Sequence, residues 1–186
     1  MVYMLLGNGF EEIEAIAPLD ILRRAGIDVS TVSLTGDLPV RGGHDIAVEA
    51  DITLDKVDFA PLEMLVLPGG GGGVASIKKT PAAMELIRRA TEADKLLAAI
   101  CAAPSLPAAL NLVSGRQVAC HPSVYDEVAA AGGILQPELP VVRDNNLITG
   151  KAAGASLDFG LELVAALRGK EAAEEIRKSL YYSIIP

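Results

Sequence analysis

The sequence predicts an α/β domain built on a mostly parallel sheet with helices on both faces. Three observations predict it. Short apolar runs alternate with longer stretches of helical period, the rhythm of βα units. Several of those runs are apolar throughout, as strands buried on both faces are. Across all 186 residues there is no internal repeat, low-complexity linker or break in composition, so residues 1–186 read as one domain.

The clearest buried strands are Val2–Leu6, Val29–Leu34, Met64–Leu67 and Leu96–Ile100. Helical patterns cover Glu11–Ala25, Pro81–Ala93, Ala103–Leu110, Ser123–Ala131, Ser156–Leu167 and Lys170–Leu180. Gly26 and Gly169 stand at C-cap positions, and Thr80 before Pro81 reads as an N-cap with proline at N1. Val40–Val48, with Gly42-Gly43 inside it, reads as a small hairpin or bulged pair outside the βα rhythm, and Val141–Thr149, turning at Asp144-Asn145-Asn146, as a second hairpin. The apolar end Tyr181-Tyr182-Ser183-Ile184-Ile185-Pro186 suits docking on the core or on a partner.

Composition excludes several classes. Sixteen basic against twenty-four acidic residues give a net charge of −8, the wrong sign for nucleic acid or an anionic membrane. The pairs Arg23-Arg24, Lys78-Lys79 and Arg88-Arg89 read as solvated helix faces, and with no tryptophan a base-stacking platform is poorly supplied. No apolar run reaches the roughly 18 residues of a membrane span, and Met1–Leu6 lacks the marks of a signal peptide. The expected location is the cytoplasm. Cys101 and Cys120 form no C-x-x-C pair, and His44 and His121 lack a second ligand at metal spacing, so neither a disulfide scaffold nor a metal is expected.

Gly7-Asn8-Gly9-Phe10-Glu11-Glu12 begins like a dinucleotide fingerprint. Glu12 stands where the third glycine belongs, and two carboxylates would face the pyrophosphate, so no nucleotide cofactor is expected. The run Gly69–Gly73 lacks the Lys-Ser or Lys-Thr of an NTP loop. Two readings stand for it: a flexible turn, or a loop whose bare N–H groups face an oxyanion.

Cys101 follows the strand Leu96–Ile100 at once, and Ala102-Ala103-Pro104 opens a helix behind it. That is the setting of a nucleophile elbow, with small residues where the turn is crowded. A helix N-terminus lowers a thiol's pKa, and the N–H groups of Ala102 and Gly70 are candidates for an oxyanion pocket. The bland alternative is a small buried hydrophobe. Glu14 favours the functional reading. Phe10, Ala17 and Ile21 place it on an apolar stripe, where a carboxyl either turns outward or is buried and neutral. Pro18 deprives the Glu14 carbonyl of its helical hydrogen bond, a local irregularity of the kind that gathers at sites. A neutral Glu14 can donate to a thiolate at the same sheet edge. His121, in Cys120-His121-Pro122 after the strand Gln117–Ala119, is either structural or a proton carrier. Cys120 reads as core, with a second oxidisable thiol as the alternative.

In order along the chain, Glu11-Glu12-Ile13-Glu14, Arg23-Arg24-Ala25-Gly26-Ile27, Leu67-Pro68-Gly69-Gly70, Ala98-Ala99-Ile100-Cys101-Ala102-Ala103-Pro104, His121-Pro122 and Ser156-Leu157-Asp158-Phe159-Gly160 resemble the DJ-1/ThiJ/PfpI superfamily, in the branch of the parkinsonism-associated protein and YajL. The resemblance implies a flavodoxin-like three-layer sandwich of the class I glutamine-amidotransferase type, and a homodimer. It implies Cys101 as the reactive cysteine, Glu14 as its protonated neighbour, His121 nearby, and the Gly70 and Ala102 backbones as the oxyanion pocket. Gly69, His44 and Lys151 become candidates for the substrate pocket. His44 stands where that branch tends to carry an arginine, and Lys151-Ala152-Ala153-Gly154 replaces an Arg-Gly-Pro-Gly-like stretch, which removes a guanidinium fork. Ala102, where the protease-like branch has histidine, argues against a peptidase or amidase. The implied functions are a cofactor-independent enzyme acting on reactive carbonyls or glycated adducts, and an oxidative-stress sensor or redox chaperone using a Cys101 sulfinate.

Overall fold

The computed structural model describes residues 1–182. In chain order the strands are β1 (Val2–Leu6), β2 (Val29–Ser33), β3 (Pro39–Arg41), β4 (Ala47–Glu49), β5 (Ile52–Thr53), β6 (Met64–Leu67), β7 (Leu96–Ile100), β8 (Gln117–Val118), β9 (Ile134–Leu135), β10 (Val141–Asp144) and β11 (Leu147–Gly150). The helices are α1 (Glu12–Arg24), α2 (Gly71–Lys78), α3 (Pro81–Glu92), α4 (Ser105–Ala109), α5 (Tyr125–Ala130), α6 (Ser156–Arg168) and α7 (Lys170–Ser179). The central sheet runs β10-β11-β7-β6-β1-β2-β5; β10 pairs antiparallel with β11 and the other neighbours are parallel.

The two-residue period of the strands divides the interior into two cores. Tyr3 and Leu5, Leu65 and Leu67, and Leu97 and Ala99 face the layer holding α2–α5. Their alternates Met4 and Leu6, Met64 and Val66, and Ala98 and Ile100 face α1 and α6. The flavodoxin-like sandwich follows from this division: a parallel sheet apolar on both sides needs both sides covered. Both expected hairpins are present, β3–β4 and β10–β11.

Some local expectations change. The glycine run divides: Gly71–Gly73 form the first turn of α2, while Gly69 and Gly70 stay outside the helix. Thr80 has the extended backbone of an N-cap, but its hydroxyl donates to the Ser76 carbonyl instead of capping α3. The helix expected over Ala103–Leu110 is shorter, with turns from Cys101 to Pro104 before α4 begins. Pro122–Val124 is a 3-10 turn ahead of α5. At the C-terminus Tyr182 donates its hydroxyl to Asp158 at 3.0 Å, while Ser183, Ile184, Ile185 and Pro186 lie outside the described residues.

Candidate active site

Cys101 is the first residue past β7, and its φ is 64°. By strand alternation its side chain belongs with Leu97 and Ala99; the left-handed backbone turns it to the opposite face, against the α1–α6 core. A cysteine gains nothing locally from that conformation, which costs roughly 1–3 kcal/mol. The surroundings hold it there. Its N–H donates to the Gly150 carbonyl at 2.9 Å, its C=O accepts from His121 N–H at 2.8 Å, and Ala103 N–H closes the turn on Ile100 at 3.0 Å. The elbow expected from Ile100-Cys101-Ala102 is therefore present.

Glu14 comes to meet it from α1. The helix packs Ala15, Leu19, Ile21 and Leu22 into the core, and Glu14, on the same face, is 1% exposed. Its carboxyl shares a hydrogen bond with the Cys101 thiol and accepts from the Gly69 and Ala153 N–H groups, the first at 3.0 Å. Three residues earlier in the chain, Glu11 caps α1 by accepting the Glu14 N–H on its side chain at 2.7 Å. Gly69 makes the close approach possible: a Cβ there would stand 2.3 Å from Glu14 Oε2 and 2.7 Å from Cys101 Cβ. Gly70 has φ 85°, and a Cβ on it would strike the Gly9–Glu11 backbone at 2.4–2.7 Å.

Burial, joined by the Glu11 charge, raises the Glu14 carboxyl to about 7 against the hydrogen bonds that favour its anion. Burial, the Glu14 charge and its hydrogen bond push the Cys101 thiol up to about 12, opposed by N–H donors from Ala102 and Gly70. The expectation of a thiol lowered by a helix N-terminus is thus corrected: so close to a carboxylate, the sulfur resists becoming a second anion. The pair behaves as one unit holding one negative charge above about pH 7. The proton can sit on sulfur or on Glu14: the Ala102 and Gly70 N–H groups favour the thiolate, and the Gly69 and Ala153 N–H groups favour the Glu14 carboxylate.

The remaining sequence candidates divide. His121 meets Cys101 through its backbone; its ring Nδ1 lies 2.9 Å from Ser123 Oγ and accepts Ser123 N–H at 3.2 Å. The Lys151 ammonium turns to the Pro137 carbonyl at 2.6 Å, holding the 137–140 segment. His44, on the β3–β4 loop, gives its Nδ1 and its N–H to the Glu12 carboxylate, both at 2.7 Å. Each raises or lowers the other in the expected sense: His44 upward through Glu12, and Glu12 downward through His44 against its own burial. Cys120 is 1% exposed in the opposite core from Cys101, and burial pushes its thiol up to about 11. That placement points its side chain away from the Cys101 face.

Among the described residues, Glu11, Glu12 and His44 are the group with ligand atoms close enough for a metal ion, within 4.8 Å of one another. Each is already partnered within the protein, Glu11 by the Glu14 amide and Glu12 and His44 by each other. Sequence reasoning missed Gly150, Ala153 and Ser123, whose contacts depend on the register of β11 against β7 and on loop closure. Glu11 was legible in principle, as an acid three residues ahead of a buried helical position.

Residues 1–166 match the DJ-1/PfpI family. The chain is 33% identical to the zebrafish (Danio rerio) Parkinson disease protein 7 homolog over 178 residues, 95% of this chain and 94% of the relative. It is 31% identical to the Caenorhabditis elegans glutathione-independent glyoxalase DJR-1.2 over 170 residues, 91% of this chain and 89% of the relative. Among solved structures, Drosophila melanogaster DJ-1beta superposes with a TM-score of 0.93 at 33% identity, covering 98% of both chains. An oxidized Toxoplasma gondii DJ-1 superposes with a TM-score of 0.91 at 28% identity, again covering 98% of both.

Proposed function

The chain belongs to the DJ-1/PfpI family, and from that premise we propose that it is a cysteine-dependent, glutathione-independent enzyme acting on small reactive carbonyls such as methylglyoxal, in stress protection. The observation that carries the reading is the buried Glu14 carboxyl hydrogen-bonded to the Cys101 thiol, with two backbone N–H groups on the sulfur. The C. elegans glyoxalase among its relatives supports the choice of substrate.

Transfer of the thiol proton to Glu14 gives the nucleophile. Cys101 Sγ forms a bond to the aldehyde carbon, the carbonyl π pair moves to oxygen, and Glu14 returns its proton there, leaving a hemithioacetal. The Gly70 and Ala102 N–H groups stabilise charge in this region. The Glu14 carboxylate then takes the proton from the carbon bearing sulfur and passes it to the ketone oxygen, giving the enediol. His121 delivers a proton to the neighbouring carbon while the hydroxyl on the carbon bearing sulfur gives its proton to Glu14, and the enediol becomes a thioester; the proton Glu14 gains and the one His121 loses are exchanged through solvent. Water cleaves the thioester, releasing lactate and restoring the thiol. One methylglyoxal and one water become one lactic acid, with no cofactor or external oxidant.

Lactate formation without glutathione tests the reading. Wild type turns over and Cys101→Ser, still folded, does not; retained turnover in the mutant rules the mechanism out. Glycated adducts, which present the same electrophilic carbon, are the second substrate class in this reading.

A redox-sensing role is the second reading, favoured by the oxidized T. gondii relative and by a carboxyl placed to donate to a Cys101 sulfinate. Peroxide then adds two oxygens to Cys101 and none to Cys120; equal oxidation of both counts against it.

The working form in this reading is a cytoplasmic homodimer. Ile13, Ile16, Ile46 and Leu157 are exposed together along an open apolar groove of about 620 Å³ beside α1. A second copy is the occupant a symmetric oligomer supplies. Ile16→Asp is expected to give a monomer in sedimentation, and a wild-type monomer at micromolar concentration would remove this part. The acidic net charge keeps nucleic acid out of the reading.

A further inference from the structure

His121 meets two groups of Ser123 at the same ring nitrogen. The Ser123 N–H donates to Nδ1 at 3.2 Å, and the Ser123 hydroxyl lies 2.9 Å from it. The backbone N–H can only donate, so by itself it ties the neutral ring to the form with its proton on Nε2. The hydroxyl both donates and accepts. With the proton on Nε2 it shares the Nδ1 lone pair with the backbone donor; with the proton on Nδ1 it turns and accepts it.

We propose that the Ser123 hydroxyl is a positioning group that keeps both neutral tautomers of His121 available, so that Nε2 can take a proton as well as give one. This rests on the carbonyl reading above only for its catalytic consequence. A proton shuttle must return to its starting state each cycle, and a ring held solely by a backbone donor is biased toward giving. When Nε2 releases a proton to carbon, Nδ1 draws the hydroxyl proton and solvent refills the exposed Ser123 Oγ. The ring stays neutral, and one proton enters for each that leaves. When Nε2 takes a proton, the same sequence runs in reverse.

The test uses imidazole 15N shifts, which separate the two tautomers and are simple to assign in a chain with two histidines. The measurement is made at about pH 9, and the comparison is between the two singly protonated forms of the ring. Ser123→Ala is expected to lower the ratio of the Nδ1–H to the Nε2–H form at His121 by up to about fivefold, the factor set by one hydrogen bond of about 1 kcal/mol. Ser123→Thr, which keeps the hydroxyl, is expected to restore it, while His44 stays unchanged in both. An unchanged His121 ratio in Ser123→Ala overturns the proposal. In the lactate assay, Ser123→Ala is expected to lower kcat with KM held, and Ser123→Thr to recover it; full kcat in Ser123→Ala removes the catalytic consequence. Wild type without turnover overturns the carbonyl reading, and the tautomer ratio still decides the role of Ser123.

Discussion

The Gly69 amide donates to Glu14 Oε2 at 3.0 Å, and the space a Cβ would need on Gly69 is occupied by that same oxygen, 2.3 Å away. One backbone position both holds the carboxyl and forbids a side chain. Gly69→Ala is therefore expected to push Glu14 off Cys101 and to lower turnover at least ~100-fold, the scale of a lost proton-transfer group. The overpacking costs about 1–3 kcal/mol of stability. Urea unfolding and lactate kinetics on the same preparation check both, and a well-folded Gly69→Ala with wild-type turnover contradicts the arrangement.

Glu14 makes stability depend on pH in a definite direction. Its carboxyl is raised by burial from 4.5 to about 7 in the folded chain. Below about 4.5 it is protonated in both states and costs nothing. As pH rises through this window the unfolded chain gives up the proton while the folded chain keeps it, so stability falls, and the loss is complete above about 7. At about 1.4 kcal/mol per unit the loss is on the order of 3 kcal/mol. Glu14→Gln removes this dependence, so the wild-type stability minus that of the mutant, followed by urea unfolding from about pH 4.5 to about 8, is expected to decline by that amount.

The shared charge also sets when the sulfur reacts. Thiolate arises by internal transfer of a proton to Glu14, so its population follows the ionisation of the pair near pH 7, not the second ionisation near 12. Alkylation of Cys101 by iodoacetamide is expected to rise through about pH 7 in wild type and only at more alkaline pH in Glu14→Gln. Cys120, buried in the other core, is expected to stay unmodified until the chain unfolds.

The seam that brings α1 to the elbow depends on Gly160. A Cβ there would stand 2.8 Å from Ile21 Cδ1 and 3.1 Å from Pro18 Cα. Gly160→Ala is expected to cost about 1–3 kcal/mol, and Ile21→Val, which removes the terminal methyl, to recover part of it. A double-mutant cycle by thermal or urea unfolding measures the coupling; additive losses argue against a direct contact.

Much of this was legible in the residues because several levels agreed. An acid at Glu14 on an apolar helix face, with Pro18 a turn later, has few physical explanations, and burial beside a reactive group is one of them. Leu96–Ile100 followed by Cys-Ala-Ala-Pro marked the elbow, although the 64° φ that swings Cys101 across the sheet leaves no trace in a cysteine. Gly71–Gly73 misled for the opposite reason. Glycine has nearly the poorest helix propensity, yet here tertiary packing decides: Gly72 lies against Gly9, and Gly73 against Phe10, where side chains do not fit. The thiol's upward shift was hidden as well, since a helix N-terminus and a neighbouring carboxylate act in opposite directions and only distance ranks them. Lys151 looked available for substrate until its ammonium was seen on Pro137.

Intact-protein and peptide mass spectrometry of chain quenched during reaction with methylglyoxal bears most directly on the Cys101–Glu14 pair. A transient adduct of one methylglyoxal on Cys101, chased to lactate in wild type and absent in Cys101→Ser, is expected. Adducts confined to lysine and arginine side chains, with Cys101 untouched while lactate accumulates, would contradict it.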